Sequence, residues 1–371
     1  MELTDPGPLV ILSVLAAALF ALVVIGWPRP RGRGIRAVAR GAQVLLLNAV
    51  VVTLALVVLN DQYVFYATWA DLFGARSTQV QSHFGGTLKD ALTTRPHGQG
   101  LPQRPLERAN YALPQPGSRL QTYSVPDPSA GVRVPVLVYL PVGYNPHSSR
   151  RYPVILGLHG FPATPTSFVN HNVLGTATRL TESHKLAPTI FVVPQINVPA
   201  EVDTECVNGP PGSPQTETWL TTVVPDWAIA HLHVRTDRSS WATMGYSYGA
   251  WCSAVLSMRH PDIFGAAIVM QGYFRPEFEA GYRPFSTAQL RAYDLTRVAS
   301  ADPPPLAMWI LASREDRGSY PTTARFLRAA RRPLAITSVI LAVGGHRPSV
   351  YEPYSPDALT WLANTLPGFR A

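Results

Sequence analysis

The chain has 371 residues, 46% of them hydrophobic, and a formal net charge of +8, which excludes a disordered polyelectrolyte and leaves ample material for a buried core. All but two of its 31 basic residues, Lys89 and Lys185, are arginine. No basic helix or aromatic-basic motif gathers them, so the charge points to an anionic envelope surface and away from nucleic acid. The 10 histidines and 2 cysteines form no H-E-x-x-H pattern or Cys/His cluster, so neither a metal nor a cofactor is expected.

Two uncharged apolar runs, Pro8 to Trp27 and Gly41 to Leu59, are each long enough at about 1.5 Å per residue to cross a hydrocarbon core of about 30 Å. A cleaved signal peptide competes for the first run, but Glu2 and Asp5 precede it without a Lys or Arg, and no small-x-small site follows it. Between the runs stand Arg29, Arg31, Arg33, Arg36 and Arg40; the positive-inside rule assigns them to the cytoplasm and both termini to the outside. Asn48 in the second span is expected to bond the partner helix, and Tyr63, Phe65, Tyr66 and Trp69 read as an interfacial belt. Residues 1–75 thus form a membrane anchor. Residues 76–118, with Pro96, Pro102, Pro105, Pro114 and Pro116 and no sustained apolar period, read as a stalk.

From residue 119 onward the pattern changes. Strands are expected near 121–125, 132–140, 154–158 and 189–193, and helices near 219–232, 248–259, 322–330 and 356–366. Alternating strands and helices over 119–371 predict a mostly parallel sheet covered on both faces, an α/β-hydrolase architecture in one domain. The aromatic stretch between Gly272 and Pro305, with Tyr273, Phe274, Phe278, Tyr282 and Phe285, either lines an acyl pocket or lid, or is a surface excursion with its own small cluster.

The chemistry centres on Gly245-Tyr246-Ser247-Tyr248-Gly249, a G-x-S-x-G pentapeptide between a short apolar strand and a helix-compatible run. Glycines at these positions let a strand turn sharply into a helix, which exposes the serine hydroxyl at the helix N-terminus. A serine needs a base and an acid to become a nucleophile. Downstream, Asp316 follows the apolar strand 305–312, and His346 follows the strand 335–343 within Gly344-Gly345-His346. His346 is the expected base and Asp316 the acid, with Glu315 as the neighbouring alternative. The backbone NH groups of Tyr248 and of Phe161, in the loop after strand 154–158, are the expected oxyanion donors. His159 in that loop is expected to pack or orient it. Cys206 and Cys252 either pair in an oxidising compartment or remain two separate buried thiols.

The segments Val138 to Tyr144, Leu158-His159-Gly160-Phe161, Thr204 to Val207, Glu217 to Leu220, Gly245 to Gly249 and Gly344-Gly345-His346 together resemble the Putative esterase family, over roughly residues 119 to 368. That family includes esterase D-type carboxylesterases and the mycolyltransferases of actinobacterial envelopes. The resemblance implies Ser247 as nucleophile, His346 as base, Asp316 as acid, and Phe161 and Tyr248 as oxyanion donors. Tyr248 departs from the methionine or other apolar residue common there, and an aspartate acid shifts the expectation from acyltransferase towards hydrolase. The resulting expectation is a membrane-anchored, outward-facing serine esterase acting on an envelope lipid or other acyl ester. An acyltransferase of the mycolyltransferase type is the alternative within enzymes, and a catalytically idle envelope scaffold or binding protein the alternative outside them.

Overall fold

The computed structural model describes residues 3–25, 33–74, 77–102, 119–145, 147–278, 282 and 284–371. Two compact units divide the chain: residues 79–312, 319–341 and 348–371 form one, and residues 1–78, 313–318 and 342–347 the other.

The larger unit is built on nine strands: β1 (Gln79–Gly85), β2 (Leu120–Asp127), β3 (Val132–Tyr139), β4 (Val154–Leu158), β5 (Ile190–Pro194), β6 (Trp241–Tyr246), β7 (Ala266–Met270), β8 (Ala307–Ser313) and β9 (Ala335–Leu341). They lie in the order β1-β9-β8-β7-β6-β4-β5-β3-β2. The centre is parallel, with Val154 opposite Trp241, Ala242 opposite Ala266, and Ala266 opposite Ala307. Antiparallel pairs close the edges, β1 with β9 and β2 with β3. Every residue of β4 through β9 is buried, as expected of strands covered on both faces.

Successive side chains go to opposite faces. In β7, Ala267 and Val269 join the core containing Trp219, Trp251 and Phe274, whereas Ala266, Ile268 and Met270 join the one containing Phe168, Leu359 and Leu362. These strands read as continuous apolar runs because both alternating sets are buried.

The expected stalk is corrected in part. Residues 79–85 are an edge strand in register with β9, Gln79 opposite Leu341 and Gly85 opposite Ala335. A short helix, Leu88–Thr93, follows behind a Thr87/Asp90 capping box, with Ala91 fully buried. The strand sequence is Gln-Val-Gln-Ser-His-Phe-Gly and mostly exposed, so backbone pairing holds it and no apolar period announces it. Pro105, Pro114 and Pro116 lie outside the described residues. The helix expected over 219–232 is also interrupted: a π turn, Trp219–Val223, precedes Val224–His231 and its Pro225, whose nitrogen has no proton to give to the helix ladder.

In the smaller unit two helices, α1 (Pro6–Val24) and α2 (Arg33–Tyr63), carry mean hydropathies of 2.6 and 2.5 over their apolar windows and are long enough to cross a membrane. α2 extends beyond the expected apolar run at both ends, since hydropathy marks lipid contact and the helix ladder continues through polar residues. Asn48 donates to the Val44 carbonyl of its own helix at 3.0 Å, and not across to α1 as expected. A polar amide one turn above a carbonyl finds its partner locally. Trp27, Arg29 and Arg31 fall outside the described residues. In the last turn of α2 the Asn60 amide bridges the backbone of Tyr66, donating to its carbonyl at 2.8 Å and accepting its NH at 2.7 Å. A single helical turn, α3 (Trp69–Leu72), then starts on a Thr68 cap.

Candidate active site

In the larger unit β6 delivers Ser247 at a sharp turn into the helix Tyr248–Arg259. Ser247 has φ 55° and ψ −122°, a backbone that a non-glycine residue adopts only when its surroundings impose it. The flanking glycines impose it. A Cβ on Gly245 would overlap the Gly249 carbonyl, and one on Gly249 would overlap the carbonyls of Leu158 and His159. The Ser247 NH donates to the Met270 carbonyl at 3.0 Å, which ties the turn to β7. Tyr248 is the first helical residue, so its NH is among those with no acceptor inside the helix.

Beyond the carboxyl end of β4, His159 organises the loop that carries Phe161. Its Nδ1 lies 2.7 Å from the Gly160 carbonyl, and its Nε2 accepts the Ile196 NH at 3.1 Å. The proton therefore sits on Nδ1. Burial drives the His159 pKa down to about 4, with the Gly160 bond only partly opposing it. Both nitrogens are used and the ring stays neutral, which fits the orienting role. The Phe161 ring packs on Tyr248, centroids 5.7 Å apart. The Tyr248 hydroxyl donates to Asn197 at 2.7 Å, and burial pushes it well above the usual phenol range.

Cys206 and Cys252 form a disulfide with Cα atoms 5.5 Å apart, joining the loop after β5 to the helix behind Ser247. The pairing alternative is therefore the observed one. Beside it Glu205, 1% exposed, accepts the Tyr273 hydroxyl at 2.9 Å. Burial, with the charge of Asp203, raises its carboxyl well above the ordinary range. Tyr273 stacks on Trp251 at 5.5 Å and Phe274 on Phe326 at 3.9 Å, so the start of the aromatic stretch is core. Farther on, Arg275, Phe278, Phe285, Leu290 and Arg291 line a cavity of about 710 Å³ whose wall mixes charge with apolar surface.

In the smaller unit the loops after β8 and β9 bring the expected acid and base together. His346 Nδ1 stands 2.7 Å from Asp316 Oδ2; Asp316 is 1% exposed. The other oxygen, Oδ1, accepts the Gly318 NH at 3.2 Å. In the neutral ring, with Nδ1 donating to the carboxylate, Nε2 is the acceptor nitrogen. Glu315 goes elsewhere, accepting the Gly344 NH at 3.1 Å. Geometry thus separates the two neighbouring carboxylates that spacing leaves equivalent. Unforeseen in the sequence are Asp71 and Arg347, which flank the histidine loop and are bonded to each other across 276 positions.

A strand-turn-helix serine on a mostly parallel, doubly covered sheet, with an acid-base pair following two further strands, defines the α/β-hydrolase class. The model of the Putative esterase family matches residues 128–365, and the chain belongs to that family. An uncharacterised protein of Corynebacterium glutamicum is 23% identical over 247 residues, covering 61% of this chain and 56% of that protein, so the chain spans just over half the length of this curated relative. Among solved structures, a ferulic acid esterase superposes with TM-score 0.56 at 20% identity, over 66% of this chain and 97% of that one. An S-formylglutathione hydrolase from Agrobacterium tumefaciens gives 0.53 at 16%, over 66% and 94%. A fluorophosphonate-binding serine hydrolase of Staphylococcus aureus gives 0.53 at 14%, over 66% and 98%. At such identities the likeness establishes the fold.

Proposed function

We propose that this protein is a membrane-anchored serine esterase with its catalytic domain outside the cytoplasm, acting on an envelope lipid or other acyl ester. The observation that carries the reading is the forced backbone of Ser247 between two glycines that tolerate no Cβ. Ser247 Oγ attacks the ester carbonyl carbon while His346 Nε2 takes its proton, and Asp316 holds the imidazole and stabilises its charged form. The NH groups of Phe161 and Tyr248 receive the oxyanion. As the carbonyl re-forms, the alcohol leaves with the proton from His346. Water then attacks the acyl-enzyme with the same base and releases the acid.

Membrane attachment is supported by the two long apolar helices, and outward orientation by the arginines between them. An anchored enzyme meets an amphipathic ester at high effective concentration, which favours lipid substrates over freely diffusing ones. Full-length protein in liposomes is expected to prefer bilayer-embedded esters over short soluble ones more strongly than the same protein in detergent. Equal preference in both settings counts against a lipid substrate.

The direct test is Ser247→Ala. This variant is expected to fold, to lose ester cleavage by about 10⁴-fold or more, and to lose labelling by a fluorophosphonate. Retained labelling would remove Ser247 as the nucleophile.

A further inference from the structure

The loop bearing His346 is held by the segment that leaves the second apolar helix. Its residues bond one after another to residues 64–71. The His346 NH donates to the Val64 carbonyl at 2.7 Å, and the Gly345 NH to Asp71 Oδ2 at 3.0 Å. Arg347 grips Asp71 with two nitrogens, at 2.7 Å to Oδ2 and 2.6 Å to Oδ1, while also donating to the Phe65 carbonyl at 2.6 Å. Its guanidinium lies 4.2 Å over the Tyr66 ring. A side chain on Gly345 would overlap the carbonyls of Val64 and Phe65, so the two segments touch backbone to backbone.

Asp71 is the hub, only 4% exposed, and it also accepts the Ala67 NH at 3.1 Å. Burial alone would raise its carboxyl, but Arg347 and the NH groups of Ala67 and Gly345 outweigh it and hold the pKa below the usual value. A buried carboxylate saturated by a forked guanidinium and two backbone donors is a rigid joint. The acid loop has a similar tie, since Arg317 donates to the carbonyl of Thr4, just ahead of α1, at 3.3 Å.

We propose that Asp71, with Arg347, is a positioning residue for the histidine base, so that the segment leaving the membrane anchor is part of the catalytic apparatus and not a passive tether. The proposal rests on the assignment of His346 above. Nothing in α/β-hydrolase chemistry requires such a partner; it follows from the hydrogen bonds on both sides of His346. A displacement of about 1 Å in a base costs on the order of 100-fold in rate.

The experiment uses the full-length protein in detergent with a short soluble ester, so that membrane delivery of substrate plays no part. Asp71→Asn is expected to lower kcat about 100-fold with KM unchanged, at a temperature where its melting curve shows it folded, and Asp71→Glu to recover part of the loss. A folded Asp71→Asn with wild-type kcat overturns the proposal. If Asp71→Asn does not fold, Arg347→Lys decides the matter, because lysine keeps the charge but not the fork. It is expected to lose about tenfold in kcat at constant KM, and unchanged kcat overturns the proposal. Absence of Ser247-dependent hydrolysis in the wild type would instead overturn the esterase reading, and this inference with it.

Discussion

The Ser247 turn and the His346 loop are held in place by opposite means. Around Ser247 the determinants are local: two glycines within two residues, a strand before and a helix after, all inside one pentapeptide's reach. Around His346 they are remote, with Asp316 30 positions away and Asp71 275 positions away, joined through hydrogen bonds that no local pattern encodes. Steric necessity writes itself into a motif. Polar complementarity between distant segments does not, because any carboxylate can serve any guanidinium once the fold has brought them together.

The largest effect that sharpens this comparison is at Asp316, the proposed acid. Asp316→Asn is expected to cost about 10⁴-fold in kcat, because the amide favours the wrong histidine tautomer. Glu315→Gln, which touches the backbone of Gly344, should change kcat far less. Steady-state kinetics of the two variants checks the assignment, and a larger loss from Glu315→Gln would exchange the two roles.

Next comes the disulfide on the helix that follows Ser247. It closes a loop with a sequence separation of 46 residues, and a bridge of that span stabilises by about 3–4 kcal/mol through the chain-entropy model. Cys252→Ser should lower the denaturation midpoint accordingly, and alkylation of the unreduced protein should modify neither cysteine until reductant is added. Two freely alkylated thiols would contradict the pairing.

A slightly smaller effect belongs to Glu217, whose carboxylate takes Arg259 and His260 at 2.8 Å on one oxygen and the Tyr293 hydroxyl at 2.8 Å on the other. Burial opposes its charge, but these partners win and bring its pKa down to about 2 from an ordinary 4.5. A depressed carboxyl adds stability above its unfolded value and loses it as the pH falls from 4.5 through about 2. The amount is about 3 kcal/mol. His159 acts on the same side: its unfolded form takes up a proton below 6.5 that the buried ring refuses until about 4, so stability also falls across that window. Urea midpoints measured between pH 7 and 3 should decline throughout. Glu217→Gln should flatten the part below 4.5, and an unchanged profile would refute the role given to this carboxylate.

The amino-acid sequence by itself determined the class of the fold, the strand-turn-helix placement of Ser247 and the presence of two apolar helices long enough to cross a membrane. Each rests on a periodicity or a steric requirement confined to neighbouring residues, such as the doubly buried runs of β4 through β8 or the glycines at 245 and 249. Only the tertiary structure decided which of Glu315 and Asp316 faces the histidine, that the two cysteines meet, that β1 belongs to the sheet, and that Asp71 reaches the histidine loop. These four share one physical cause. Each is a pairing between groups whose individual chemistry is satisfied equally well by many partners, so the choice is made by which segments the packed core and the two apolar helices bring within about 3 Å of each other.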